Sequence, residues 1–336
     1  MKFKTCFTFC LLLLALGEIA YAQESNPLLL PVEQNGKCGY IDRDGNIVIA
    51  LKFDFCWKFS EGFASVTVGG KHGFIDTKGN YLIKPKFDGF WRFSQFREGL
   101  APVFLGDHWR DKAKGKWGFI DTKGQVTYLS GVTLLGGFHD GLAFFKKGER
   151  AGYFDTNLKV TIEPNFKSVG HFYFGRARAT TIDNSELYID KSGRKVFDNR
   201  EGSDFQDERA FFSVNGKYGF ININGETIIE PQFDAANHFG EGLAAVKVKD
   251  KWGFIDAAAK FIIEPQFDET GVFSEGLASV AINGKWGFID TTGKVVIPLQ
   301  FDKWTYWFED GVCEVHIDGK SGYIDKSGKY IWSPTK

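Results

Sequence analysis

The chain is predicted to be an all-β repeat protein of about nine three-stranded antiparallel units, and three observations predict it. First, a short phrase, Lys-Trp-Gly-Phe-Ile-Asp, recurs at 116–121, 251–256 and 285–290, with weaker copies at 73–76, 219–222 and 322–325. Second, the glycine of that phrase falls at Gly39, Gly73, Gly118, Gly152, Gly219, Gly253, Gly287 and Gly322, with Leu187 in its place in the fifth copy. The period is about 34 residues, the size of one supersecondary unit. Third, no window carries a sustained apolar stripe at helical spacing outside the first residues.

Each unit reads as three short strands. Residues 243–248 (Leu-Ala-Ala-Val-Lys-Val) make a first strand, a polar turn follows at 249–251, and Trp252 to Asp256 make a second. A turn of the form Asp-x-x-Gly comes next, as at Asp76–Gly79, Asp290–Gly293 and Asp325–Gly328. The aspartate of such a turn accepts a hydrogen bond from the backbone two residues on, and the closing glycine takes positive φ. The third strand ends in x-Pro-x-Phe-Asp at 84–88, 230–234 and 264–268. Proline donates no N–H, so this strand belongs at a sheet edge. A loop then leads to Phe-x-Glu-Gly-Leu-Ala, as at 239–244 and 273–278, where the next unit begins. About 27 strands result. The first and last units each hold all three strands, so an open superhelical array is expected. The alternative is a closed propeller-like ring, for which the aromatic loops at both ends speak, because a ring would bring them together.

This order of phrases resembles the WG-repeat (KWG) family of bacterial proteins over roughly residues 28–332. The chain departs from the pattern where only Trp117, Trp252 and Trp286 keep the tryptophan; Cys38, His72, Ala151, Glu186, Tyr218 and Ser321 stand there in other copies. The resemblance implies an all-β repeat fold and an interaction role, and it supplies no catalytic residues.

The 336-residue chain carries a formal net charge of −1, which gives no basic footprint for nucleic acid. Lys2 and Lys4, the apolar run 7–16 and Ala20-Tyr21-Ala22 read as a signal peptide over 1–22, cleaved after Ala22. The run is too short to span a bilayer, so the repeat domain at 23–336 is expected to be exported, periplasmic or extracellular, without membrane insertion. Beyond the leader stand Cys38, Cys56 and Cys313. They read either as small buried hydrophobes or, for Cys38 and Cys56, as a disulfide within the first unit.

Chemistry is sparse. The six histidines fall at different positions in different units and make no ligand pair, so no metal and no cofactor are expected. Glu61, Glu98, Glu241 and Glu275 recur at one position, as turn residues do, and no nucleophile elbow or phosphate loop is present. The chain is not expected to be an enzyme.

Function in a repeat protein sits where the units differ. An insertion at 105–115 carries Trp109, and a polar stretch near 198–208 reads as a hinge or as drift. The loops before Glu-Gly are aromatic near both ends, with Trp57, Trp91, Arg92, Trp304 and Trp307. Aromatic and Arg clusters have the composition of binding hot spots, and they also cover terminal units. The expected function is a non-catalytic protein-binding or scaffolding module. Recognition of a surface glycan by the terminal aromatics is the alternative, and a hydrolase is the less favoured third reading.

Overall fold

A computed structural model describes residues 27–88, 94–106, 115–198, 202–304 and 307–334. Among them the chain forms nine small antiparallel sheets and no helix. These are the blades of a β-propeller, numbered here in chain order at 30–53, 55–87, 100–128, 134–166, 168–198, 209–233, 235–267, 269–301 and 312–332.

The predicted elements are the ones formed. In blade 8 the first long strand is Leu277–Ile282, the second Lys285–Asp290 and the third Val295–Phe301. The first is buried almost throughout, while the third alternates exposed and buried positions. The first therefore faces the ring's axis and the third forms the outer edge, where proline is tolerated. Five of the nine sheets have four strands rather than the expected three. The loop before Glu-Gly supplies the extra one, such as Glu269–Thr270, which pairs with the inner edge of the first long strand. Backbone donors and acceptors on that edge need partners, and the incoming loop is the nearest source.

The hairpin turns behave as their sequence dictates. Asp76 Oδ1 accepts from the backbone N–H of Lys78 at 2.9 Å and of Asn80 at 2.8 Å, and Gly79 has φ 80°. The aspartate of Pro-x-Phe-Asp has a different task. Asp268 pairs with Lys251 at 2.5 Å and also accepts from Asn283 N–H at 2.7 Å. The lysine of the recurring phrase and the aspartate 17 residues later thus clasp one blade, and the same pair recurs as Lys37–Asp54 and Lys217–Asp234.

The core is a chain of local clusters between neighbours. The phenylalanine before Glu-Gly packs edge-on against the aromatic residue of the preceding blade's second strand. Examples are Phe96 on Phe74 at 5.2 Å, Phe239 on Phe220 at 4.9 Å and Phe308 on Phe288 at 4.9 Å. Such tilted pairs suit the ring quadrupole. Where the second-strand residue is tyrosine, its hydroxyl donates to a carbonyl of the next blade: Tyr40 to Trp57, Tyr153 to Gly170 and Tyr188 to Ser203.

The ring closes. Leu30, Val32 and Ile41 of blade 1 share one buried cluster with Val312, Tyr323 and Trp332 of blade 9. Tyr323 donates to Pro31 O at 2.9 Å, Arg43 donates to Asp310 O, and Lys58 pairs with Glu309 at 3.3 Å. The open array is thereby replaced by the closed ring. Complete end units do not prevent closure, because each blade presents the same two side faces and the ninth buries the first as any neighbour does.

Candidate functional site

The Glu-Gly turns set the inner rim. Ser60 and Phe63 exchange backbone hydrogen bonds around Glu61 and Gly62, both at positive φ, which is the two-residue hairpin with two left-handed central positions. Glutamate is an unusual choice there. The reason is in the neighbouring blade. Glu61 accepts from the N–H of Glu98 and Gly99, Glu98 from Gly141, Glu241 from Gly276 and Glu275 from Gly311. The repeated glutamates form a blade-to-blade clasp.

At the seam the pattern leaves a cavity of about 1550 Å³. It runs along the inner side of blades 9, 1, 2 and 3 and is lined by residues 27–35 together with Trp57, Lys58, Arg97, Trp307 and Glu309. Closure puts Trp57, from the first aromatic loop, and Trp307, from the last, into one wall. Trp57 stands edge-on to Phe55 at 5.1 Å, and Trp307 is 48% exposed. Trp304 is also exposed but does not line the cavity. Trp91, Arg92 and Trp109 lie outside the described residues.

Cys38 and Cys56 form a disulfide with Cα atoms 6.0 Å apart, which staples blade 1 to blade 2 in the cavity wall. Cys313 is buried, and burial pushes its thiol up to about 12, so it stays protonated and unreactive.

A second grouping lies on the inner loops of blades 4 to 7. Counted from the buried phenylalanine rather than from the glycine, the histidines are not scattered. His171 and His238 both directly precede that phenylalanine, and Asp204 does so in the blade between them. His139 packs at a tilt against His171 at 4.1 Å, Arg178 pairs with Asp204 at 2.8 Å, and the Nδ1 atoms of His171 and His238 are enclosed without a hydrogen-bond partner. Burial, then the charges of His171 and Arg97, hold His139 down to about 3. Burial likewise lowers His171 and His238. These imidazoles are neutral packing groups at neutral pH. No group of three or more His, Cys, Asp or Glu among the described residues is placed to hold a metal ion.

Sequence reasoning found the two tryptophans of the cavity and missed Arg43, Lys58, Arg97 and Glu309. For Lys58, Arg97 and Glu309 the signal was available in the residues that flank the buried phenylalanine, which vary while the phenylalanine repeats; Arg43 stands instead in the Asp42–Gly45 turn.

A family model described as WG containing repeat matches residues 39–71, 73–109, 117–150, 152–181, 218–252, 252–286 and 286–320. The gap after 181 falls on the fifth copy, where Leu187 replaces glycine. No match is found among curated proteins. Among solved structures, a eukaryotic initiation factor superposes with a TM-score of 0.60 at 11% identity, covering 90% of this chain and 95% of that one, a likeness of fold. BamB from Moraxella catarrhalis (10% identity, TM-score 0.42, 90% and 98% covered) and AztD from Citrobacter koseri (15%, 0.44, 90% and 92%) are more distant.

Proposed function

The chain belongs to the WG-repeat family and closes as a nine-bladed propeller, and from that premise we propose that it is a non-catalytic module that binds a partner protein at the seam of the ring. The observation that carries this reading is the cavity of about 1550 Å³ in which Trp57 and Trp307 stand beside Lys58, Arg97, Glu61 and Glu309. Aromatic anchors ringed by charges of both signs are the composition of protein-binding hot spots. The absence of a basic excess argues for a protein over a nucleic acid. Export fits the leader at 1–22, and the Cys38–Cys56 bridge supports it, since disulfides persist in oxidising compartments.

The test is cross-linked capture from the exported fraction of the producing cell, with the parent chain and a Trp57→Ala/Trp307→Ala variant as baits. Proteins retained by the parent and lost by the variant are expected; identical captures sink the reading. The paired rings of Phe55 and Trp57 also suit the face of a sugar, so a glycan array on the same two chains is the companion measurement. Glycan binding that disappears in the variant makes the cavity a carbohydrate site.

A further inference from the structure

Resting on the reading of the seam cavity as a protein-binding site, we propose that its partner binds as an added β-strand, in extended conformation, along the inner edge of blade 1. The observation is a difference between that blade and the others. In most blades the incoming loop runs beside the first long strand and donates backbone N–H groups to it. Asp54 donates to Thr67 O, Lys167 to Thr180 O, Asp234 to Lys247 O, Asp268 to Ala281 O and Asp302 to His316 O, all at 2.8–3.0 Å. A second contact two residues back joins Trp57 N–H to Ser65 O and Gly271 N–H to Ser279 O.

In blade 1 the first strand is Leu30–Gln34, and it ends its sheet as the first long strands of blades 3, 6 and 9 do; what sets it apart is the inner edge of Glu33. Its register with Lys37–Ile41 pairs Val32 with Gly39, as Val66 pairs with Gly73 in blade 2. Glu33 therefore stands where Thr67 stands, and Pro31 where Ser65 stands. Among the described residues no backbone group bonds to the inner edge of Glu33. Pro31 O receives the Tyr323 hydroxyl directly, whereas the equivalent hydroxyl of Tyr40 reaches Trp57 O on an intervening inner segment. Residues 27–35 all line the cavity, so the open edge faces the space. Pro31 is also the residue that such an edge tolerates, because it has no N–H to leave bare.

The neighbouring blades define what fits. Unpaired strand edges template the pairing of another strand, and strand addition draws affinity from the main chain and specificity from side-chain pockets. The occupant is an extended segment, antiparallel to Leu30–Gln34, that offers an N–H to Glu33 O and accepts from Glu33 N–H. Its side chains lie against Trp57 and Trp307. The edge is short, so a few backbone bonds and one apolar anchor are its whole vocabulary.

The probe is a fluorescent peptide of residues 266–276 of this chain, which carries the inner segment and turn of blade 8 with the amide of Asp268 intact. It is titrated into the full-length chain and into a chain beginning at Gln23. Saturable binding to either chain is expected, falling at least tenfold when the amide of Asp268 in the peptide is N-methylated. Glu33→Pro in the protein is expected to do the same and Glu33→Ala to leave binding within about threefold; the N-methyl peptide carries the test if the proline variant fails to fold. Absence of binding to both chains, or binding indifferent to the N-methyl group, overturns strand addition. In the second case, loss of binding in Trp57→Ala/Trp307→Ala leaves the cavity a protein site reached through side chains alone. Partner capture by the parent chain tests that broader reading separately.

Discussion

The glycine that repeats through the chain is explained by one distance. A Cβ on Gly253 would lie 2.5 Å from Ile263 O, and on Gly219 2.3 Å from Ile229 O. The third strand bulges there, with register shifts on both sides of Phe254. Leu187 shows the converse. Its blade has lost the Pro-x-Phe segment, its third strand is only Lys195–Asp198, and Leu187 pairs with Asp198 in an unshifted stretch. The register shift before the aromatic residue and the glycine are lost together, while the shift after Tyr188 remains. Gly253→Ala is expected to lower stability by about 2–3 kcal/mol, as overpacking does, measured by urea unfolding. The rim glutamates make a sharper prediction, because strain and clasp oppose one another. Glu275 has φ 52° and accepts from Gly311 N–H at 2.9 Å. Glu275→Ala keeps the strain and loses the bond, at a cost of about 1 kcal/mol. Glu275→Gly loses the bond and relieves the strain, leaving stability close to the parent's. Equal losses in the two variants would show that the clasp contributes and the backbone strain does not.

At the scale of the element, the turn aspartates and the inner-loop histidines set the response to acid. Asp290 is held below the usual carboxylate range, first by the Thr292 hydroxyl and then by backbone N–H groups. A depressed carboxylate contributes stability above its unfolded pKa, and that contribution is lost as pH falls through the folded value. His139, held down to about 3 mainly by burial, acts in the same direction but starts earlier. The unfolded chain takes up its proton near 6.5 and the folded chain does not. The midpoint of urea unfolding is therefore expected to fall steadily below about pH 6.5 and more steeply near 4. His139→Phe is expected to flatten the upper limb and leave the lower one. An unchanged upper limb would remove His139 from this account. The Lys251–Asp268 clasp is exposed, and such pairs contribute little. Its aspartate matters more than its lysine, since it also satisfies Asn283 N–H.

For the whole molecule, closure is the decisive event, and among the described residues it uses no exchange of strands between the chain ends. Blades 1 and 9 are each built from consecutive strands, so the seam is held by side chains. Tyr323→Ala is expected to remove the Pro31 bond and open a hole in the seam cluster, costing about 3–4 kcal/mol, and small-angle scattering should show an expanded molecule. A ring of unchanged dimensions would mean that the remaining seam contacts suffice. The Cys38–Cys56 bridge fastens blade 1 to blade 2 beside that seam. Cys38→Ser/Cys56→Ser is expected to lower stability by about 3 kcal/mol, the loop-entropy value for a bridge of this span, with blade 1 the first region to exchange its amides.

The residues by themselves determined the repeat, the strand-turn grammar and the turn role of Asp76, Asp290 and Glu275, because these depend on contacts within one unit or on one feature that every unit copies. Local chemistry repeated nine times is readable without knowing how the copies are arranged. The arrangement depended on terms that no single unit contains. Whether nine blades close rests on a small rotation summed around the ring, and the fit of Tyr323 to Pro31 appears only at the end of that sum. The same holds for the cavity. Trp57 and Trp307 were visible as aromatic departures, yet 250 residues separate them, and only closure of the ring makes them one wall. The inner edge of Leu30–Gln34 had no sequence signal beyond Pro31, because what distinguishes it among the described residues is the inner segment that most other blades take from the loop before them.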